Sequence, residues 1–341
     1  MRFFESQGDA RARTRRLLLA FAVAVLALVL VVNAALARVW WLVWGGWAPG
    51  GLVFPRHFFA VNTALVLLFV LGGWWLETSG MVGGGHKLAR RMGARELRPS
   101  SSLVEQRFGN IVDEMGIAAG MTRPTPMVVA RADGINAFAT GWGEDDAVVA
   151  VTQGALERLT REELQGVVAH EFSHLLEGDT RLNMRLAGMV FGLEMVYRLG
   201  ASMWAPDDRG QRTLLALPGL AVMGAGWLGW LTGHALQAAV SRQRELLADA
   251  RAVQWTRSRD GLGQALRKLL TQQELARRDR EEPRLGDATV QHLLLVNAAT
   301  DAAAHWLDSH PPLPERIRRI YGRPMEGLPL PAAPTPGATP F

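Results

Sequence analysis

The sequence predicts an α-rich α+β fold with a small sheet, combined with about four transmembrane helices. Three observations lead to this prediction. Long apolar runs with few charges occur near the N-terminus, several later segments repeat apolar residues at helical spacing, and short β-branched runs lie between turn residues. We therefore expect an α-rich body that is tied to a membrane.

A transmembrane hairpin is predicted within residues 1–77. Residues 17–37 contain a single polar residue and are long enough to cross a bilayer, and residues 58–76 form a second run of this kind. A cleaved signal peptide is the alternative for the first run, although the run is long for one. Residues 38–57, rich in tryptophan and glycine, are predicted to form a short loop among the lipid headgroups.

Basic residues predict the orientation and the partners of the chain. Lys and Arg are denser before the first run and in residues 78–98 than in the loop between the runs, which places the N-terminus and the body in the cytoplasm. This clustering explains the net charge of +5, so we expect the lipid bilayer and no nucleic acid as a partner. The chain has no cysteine, which excludes disulfides and thiolate metal ligands.

The body, residues 78–325, is predicted to contain capped helices and a small sheet. Ser102 followed by Glu105 is a capping-box signature that opens a helix ending near Gly116. Three short strands are predicted at residues 126–130, 135–140 and 147–152. Residues 326–341 are rich in proline and are predicted to be a disordered tail.

Two apolar segments at about residues 186–240 predict a second transmembrane hairpin, inserted into the body. Glu194 and Arg198, one helical turn apart in the first segment, can pair on a face turned away from lipid. A partly buried soluble hairpin is the alternative.

The chemistry is predicted on a helix that Thr160 and Glu163 open with a capping box. His170, Glu171 and His174 form an H-E-x-x-H sequence in this helix, so both imidazoles share a face and Glu171 can act on water at a bound ion. A surface helix with ordinary polar residues is the alternative, and the capped amphipathic pattern argues against it. Zinc is the predicted cofactor, since it accepts nitrogen and oxygen ligands and activates water.

A third zinc ligand must come from another part of the chain, because a catalytic zinc usually keeps three protein ligands. Residues 241–249 offer Glu245 and, one turn on, Asp249. Glu245 can bind zinc while Asp249 accepts a hydrogen bond from a ligand histidine and fixes its orientation. Such carboxylate pairs are also common on solvated helices.

Four segments, NAFATG, HEFSH, SRQRELLADA and SHPPLPERI, follow one another along the chain. Together they resemble the membrane zinc peptidases of the heat-shock protease X (HtpX-like) family, relatives of the Ste-type CAAX prenyl proteases, over most of residues 1–322. The resemblance implies a gluzincin-like zincin fold with two membrane helices between the histidines and the glutamate. It also implies that His170, His174 and Glu245 bind zinc and that Glu171 is the general base.

The resemblance implies further site residues. Asn136, Ala137 and Phe138 match an edge strand beside the cleft, where an extended substrate could pair with backbone groups. A structural strand is the alternative for this segment.

Three more residues match family positions. His310 matches a histidine that faces the site and stabilises the oxyanion, and Arg316 matches an arginine that orients Asp249 or the substrate. Asp179 matches a family position as well, but it can also simply end the helix. Structural capping is the alternative for His310 and Arg316.

The implied function is endoproteolysis at the inner (cell) membrane of a bacterium, with the catalytic domain in the cytoplasm. Misfolded or surplus membrane proteins and other unfolded polypeptides are the implied substrates, and the role is quality control; no signal sets an oligomeric state. A CAAX-type processing protease is one alternative, but that branch has about seven spans. A non-catalytic zinc-binding membrane scaffold or sensor is another, and retention of Glu171 argues against it.

Overall fold

The structure, a computed structural model, describes residues 2–44, 53–80, 83–98, 100, 102–207, 210–279, 295 and 310–331, with side chains from residue 19 onward. The chain divides into two compact units. The first, here called the apolar unit, comprises Met1–Gly80 and Arg185–Gln237, and the second, here called the site unit, comprises Met81–Met184 and Ala238–Phe341.

Ten helices and four strands lie within the described ranges. The helices are α1 Arg2–Trp44, α2 Phe58–Gly80, α3 Gly84–Arg91, α4 Leu103–Ala119, α5 Gln153–Arg158, α6 Arg161–Glu177, α7 Asp179–Trp204, α8 Ala216–Thr256, α9 Asp260–Asp279 and α10 Leu313–Tyr321. The strands are β1 Ala94–Glu96, β2 Thr125–Val129, β3 Ala137–Thr140 and β4 Val148–Thr152. The predicted helix-rich fold with a small sheet is confirmed.

Two helices in the described part of the chain are long and apolar enough to cross a membrane, Leu19–Trp44 and Phe58–Gly80. Only 22% and 17% of their most apolar windows are buried, which is unlike the core helix of a soluble protein. The predicted headgroup loop is wrong at its start, because α1 continues through residues 38–44; residues 45–52 lie outside the described ranges. The second transmembrane hairpin stays a prediction.

Apolar side chains of four helices pack together inside the apolar unit. Buried members of this cluster come from α1, α2, α7 and α8: Leu28, Val29, Val32, Val66, Val70, Leu193, Val196, Val222 and Ala225. Glycines allow the backbones to approach closely, since a Cβ on Gly226 would lie 2.4 Å from the backbone nitrogen of Tyr197. A Cβ on Gly200 would lie 2.2 Å from that of Met223. Small residues at helix contacts are typical of membrane bundles.

The predicted pairing of Glu194 with Arg198 is present, with Arg198 Nη2 2.9 Å from a Glu194 carboxylate oxygen. That the pair lies on a face turned away from lipid stays a prediction. The Arg198 side chain is 56% exposed, and its guanidinium lies 5.5 Å from the centre of the Phe191 ring.

The sheet of the site unit has the strand order β1-β2-β4-β3 and is mixed. β2 and β4 pair in parallel, whereas β1 pairs with β2 and β3 with β4 in antiparallel fashion. The three predicted strands are confirmed within a residue or two. β1 was not predicted, because its three residues, Ala-Arg-Glu, are too few and too polar to show alternation.

Glu105 does not close the predicted capping box of α4. The Ser102 hydroxyl accepts from the Glu105 N–H as expected, but the Glu105 carboxylate binds the Arg95 guanidinium at 2.7 Å and the Arg98 N–H at 2.6 Å. These contacts join α4 to the β1 edge of the sheet, because Arg95 lies in β1. α4 then ends at Gly120 in the left-handed conformation.

The N-terminus of α6 forms the predicted capping box between Thr160 and Glu163. Glu163 is buried and also accepts a 2.6 Å hydrogen bond from Lys268 of α9. Gly166 lets the two helices meet closely, since a Cβ there would lie 2.3 Å from the backbone nitrogen of Leu262. The buried face of α6 therefore has a fixed position in the core of the site unit, together with α4, α9, α10 and the sheet.

The beginning of the predicted disordered tail lies against α9. The Leu328 N–H donates to the Arg267 carbonyl at 3.1 Å, and the Arg267 side chain donates to the Glu326 carbonyl at 2.6 Å. Residues 332–341 lie outside the described ranges.

Candidate metal centre

Two helices bring the predicted ligands together. His170 and His174 lie one turn apart on α6, with their Nε2 atoms 3.1 Å apart. Glu245 of α8 places its carboxylate oxygens 3.6 Å from the Nε2 of His170 and 3.3 Å from the Nε2 of His174. One ligand atom from each residue lies within 4.8 Å of the others, so the three side chains converge on one point.

The three side chains fit a divalent metal ion. Two imidazole nitrogens and a carboxylate oxygen form a donor set that zinc accepts. Oε2 of Glu245 is buried without a hydrogen bond among the described residues, although His310 and Arg316 lie within ion-pair distance of it. A cation between the three ligand atoms would add a further partner for this oxygen.

The second ring nitrogen of each histidine is held by a carboxylate. Nδ1 of His170 lies 3.0 Å from Oδ1 of Asp249, and Nδ1 of His174 lies 3.0 Å from Oδ2 of Asp179. A proton on Nδ1 that is donated to a carboxylate leaves the lone pair on Nε2 free for a metal. The contact of Asp249 with a ligand histidine was predicted from the sequence. That of Asp179 was not, since Asp179 was interpreted only as a family match or a helix end.

Arg316 is fully buried and forms a two-pronged ion pair with Asp249. Its Nε and Nη2 donate to the two Asp249 oxygens at 2.9 and 2.7 Å. Its Nη1 also lies 3.3 Å from Oε2 of Glu245. One guanidinium thus faces both acidic groups that α8 contributes; the role of Arg316 in orienting Asp249 stays a prediction.

Electrostatics differ sharply between the two glutamates of the centre. Burial raises the pKa of Glu171, which is 2% exposed, and outweighs the nearby histidines, which act to lower that pKa. Burial also acts to raise the pKa of Glu245, but the charges of His310 and Arg316 outweigh it and hold that pKa well below its usual value. The lowered pKa favours the charged form of Glu245, which suits a metal ligand, and the raised pKa of Glu171 suits a group that exchanges a proton.

The structure places His310 beside the centre. Its Nδ1 lies 3.0 Å from Oε2 of Glu245, although not in hydrogen-bond geometry, and both ring nitrogens lack hydrogen bonds among the described residues. The oxyanion role of His310 stays a prediction.

The predicted substrate strand β3 lies at the edge of the sheet. Asn136 precedes it and pairs its backbone with Thr152, while the Asn136 side chain accepts from the Ala137 N–H at 2.9 Å. The Phe138 side chain is buried, so it is not exposed to a substrate. The role of this strand in substrate binding stays a prediction.

Leu295 contacts this edge and was not predicted. Its N–H donates to the Ala137 carbonyl at 2.8 Å, and its carbonyl accepts from Arg316 at 3.4 Å. No local sequence signal marks this residue, because the contact depends on tertiary packing.

Comparison with known proteins identifies the family. The model of peptidase family M48 matches residues 102–323. A protein called "Protease HtpX homolog" from Ligilactobacillus salivarius is 35% identical over 222 residues, which is 62% of this chain and 71% of that protein. Another of the same description, from Limosilactobacillus reuteri, is 32% identical over 240 residues, or 68% of this chain and 77% of that protein.

A solved structure, "Crystal Structure of S. mikatae Ste24p", aligns with a TM-score of 0.39 and 16% identity. The alignment covers 91% of this chain but 65% of that chain, less than two thirds of its length. The family assignment rests on the sequence matches instead. Since residues 102–323 contain every side chain of the centre described above, the chain belongs to peptidase family M48 and is an HtpX-like metalloprotease.

Proposed function

We propose that this chain is a zinc endopeptidase of a bacterial cell membrane that cleaves misfolded or surplus membrane proteins from the cytoplasmic side. One observation carries the proposal. Glu171 is buried, has a raised pKa and directly follows His170, which is one of the three ligands that converge on one point. A purely structural metal site would not need this additional carboxylate.

The ligand geometry supports the assignment of zinc. His170 and His174 would hold the ion through Nε2, because their Nδ1 atoms face Asp249 and Asp179. Glu245 would complete the three protein ligands of a catalytic site and leave one position open. When bound, zinc supplies a Lewis acid that polarises a peptide carbonyl and makes water more acidic.

Glu171 would perform the proton transfers. Its raised pKa brings the carboxylate closer to neutral pH, where a group can both accept a proton from the attacking water and return it to the leaving amine. Nε2 of His310, which makes no hydrogen bond among the described residues, offers a donor for the developing oxyanion.

Edge strand β3 would align the substrate. An extended polypeptide can add to a sheet edge through backbone hydrogen bonds without a fixed sequence, which suits unfolded substrates. The Ala137 carbonyl on this edge accepts an N–H from Leu295, so a substrate strand would replace this bond or pair beyond it.

The apolar unit would anchor the enzyme as four spans. The mixed cluster of α1, α2, α7 and α8 and its close glycine contacts support this arrangement beyond the two candidate spans. The density of basic residues near the N-terminus and in residues 78–98 supports a cytoplasmic site unit.

The test compares the full chain in detergent with its Glu171→Gln variant. Each protein is assayed for bound metal by elemental analysis and for cleavage of an unfolded membrane protein. We expect about one zinc per chain in both proteins and a loss of activity of at least about 100-fold in the variant, which is typical of a missing general base. Glu162→Gln, which changes an exposed residue on the same helix, is the matched control and should keep wild-type activity.

Two outcomes would contradict the proposal. Cleavage by Glu171→Gln at the wild-type rate would remove Glu171 from the chemistry. A zinc-loaded wild type that cleaves none of several unfolded membrane proteins would favour a metal-binding scaffold.

A further inference from the structure

We propose that Arg244 is a positioning residue of the metal centre, which acts through Asp179 to fix the orientation of His174. The inference rests on the proposed zinc site and adds a residue to which no role was assigned. With Arg244, both histidines have the same kind of support: each contacts a carboxylate, and each carboxylate contacts an arginine.

The contacts form a continuous chain. The Arg244 guanidinium forms an ion pair with Oδ1 of Asp179, and Oδ2 of the same carboxylate lies 3.0 Å from Nδ1 of His174. The Asp179 side chain is 4% exposed and that of Arg244 is 13% exposed, so water screens neither group well. A buried carboxylate requires such a countercharge to stay ionised.

The same arrangement exists on the other histidine. Arg316 binds Asp249, and Asp249 lies 3.0 Å from Nδ1 of His170. The resemblance gave a role to Arg316 but none to Arg244, although Arg244 lies in the segment SRQRELLADA next to Glu245.

His174 needs this support more than His170 does. His170 lies within α6 and its side chain is 1% exposed, while His174 lies in the last turn and its side chain is 14% exposed. The last turn of a helix frays most easily. Packing alone therefore restrains the His174 ring less, and the contact with Asp179 compensates.

Arg244 also couples two ligands. Glu245, the third ligand, is the next residue on α8. The ion pair of Arg244 with Asp179 therefore ties the start of α7, which follows directly on α6, to the segment that carries the glutamate. Loss of Arg244 should therefore affect the geometry of the ion and not only its affinity.

The chain offers a matched control for this contact. Arg251 of α8 pairs with Glu177 at the end of α6 at 2.5 Å, and both side chains are 27% exposed. This ion pair joins α8 to the last residue of α6, two residues before Asp179 and two turns farther along α8, but it touches neither histidine. Arg251→Gln therefore measures the effect of losing a neighbouring ion pair of α8 that does not contact a metal ligand.

The experiment measures the dissociation constant for Zn2+ of the full chain in detergent, by competition with a chromophoric chelator. We expect Arg244→Gln and Asp179→Asn each to weaken zinc binding by about 10–100-fold, the usual effect of losing a group that orients a metal ligand. The double variant should be little worse than either single one, because both substitutions break the same chain of contacts. Arg244→Lys should recover part of the affinity, and Arg251→Gln should stay within about threefold of wild type.

A second readout uses Co2+ in place of Zn2+, since its visible absorption reports the coordination geometry. The band should change in Arg244→Gln and stay unchanged in Arg251→Gln. Equal zinc affinity in Arg244→Gln and wild type, additive effects in the double variant, or equal losses in Arg244→Gln and Arg251→Gln would overturn this inference alone. A wild-type chain that binds no zinc would overturn the proposed function together with it.

Discussion

The Arg316 side chain is fully buried and forms ion pairs with both Asp249 and Glu245, so its removal would leave two buried carboxylates without their countercharge. We expect Arg316→Met to lower the free energy of unfolding of the metal-free chain by about 3–5 kcal/mol, as when one partner of a buried ion pair is removed. Denaturant unfolding in detergent measures the change. Arg319→Met is the control, since its pair with Glu315 is exposed and should contribute about 0–1 kcal/mol. Similar losses in the two variants would show that Arg316 is not structurally required.

Several site residues could be predicted from local sequence, and others could not. His170, Glu171 and His174 stand at fixed spacing on one capped helix, so the pattern alone places them together. Glu245 needed the resemblance of a longer segment. The sequence does not assign Asp179 to the centre, because the turn that returns it to His174 depends on the left-handed conformation of Gly178.

Among the helices, the contact of α7 with α8 depends on glycine. A Cβ on Gly226 would lie 2.4 Å from the Tyr197 nitrogen, whereas a Cβ on Gly224 would meet nothing within 4 Å. We expect Gly226→Ala to lower the thermal unfolding midpoint of the detergent-solubilised chain. Gly224→Ala should leave the midpoint unchanged or raise it, because alanine favours the helix by about 0.5–1 kcal/mol. A midpoint that responds equally to both substitutions would show that the helices do not pack through Gly226.

The contact between α4 and β1 predicts a pH-dependent stability. The Arg95 guanidinium and the Arg98 N–H hold the pKa of Glu105 below its ordinary value of 4.5, despite burial. A lowered folded-state pKa stabilises the fold above the unfolded-state pKa, and this contribution is lost as the pH falls through the folded value. Glu105→Gln should therefore be less stable than wild type at pH 7.

The difference in stability between wild type and Glu105→Gln should shrink as the pH falls below about 4.5. Unfolding midpoints recorded for both over a pH series measure it. A constant difference down to the acid limit of the fold would mean that the Glu105 charge does not stabilise the contact.

Helices and strands differ in how well the sequence predicted them. α6 was predicted with its cap because Thr160, Glu163 and the apolar spacing agree. β1 and the continuation of α1 to Trp44 were missed, since β1 is held by tertiary pairing and the tryptophans of α1 fit a loop equally well. Local sequence preference was enough to predict α6, whereas it was not enough to predict β1 or the continuation of α1.

For the whole molecule, membrane topology is the main prediction. It can be tested with single cysteine substitutions, because the chain has no cysteine of its own. With four spans, Gln211 would lie outside the cell between α7 and α8, and Ala118 of the site unit would lie in the cytoplasm. We expect Gln211→Cys to react with a membrane-impermeant maleimide in intact cells. Ala118→Cys should react only after permeabilisation, and the wild type should not react at all. If Gln211→Cys also needed permeabilisation, the segment from 186 to 240 would be a soluble hairpin.

The two histidines differ in how far along the chain their supporting carboxylates lie. Asp179 follows His174 by five residues across a single glycine turn, so the pair can form as soon as α6 and its following turn are ordered. Asp249 can reach His170 only after a loop of about 80 residues has closed, which costs more chain entropy and takes longer. During folding, the His174 half of the centre would therefore become ordered first, and the arrival of α8 would set the time at which the chain can first retain a metal ion.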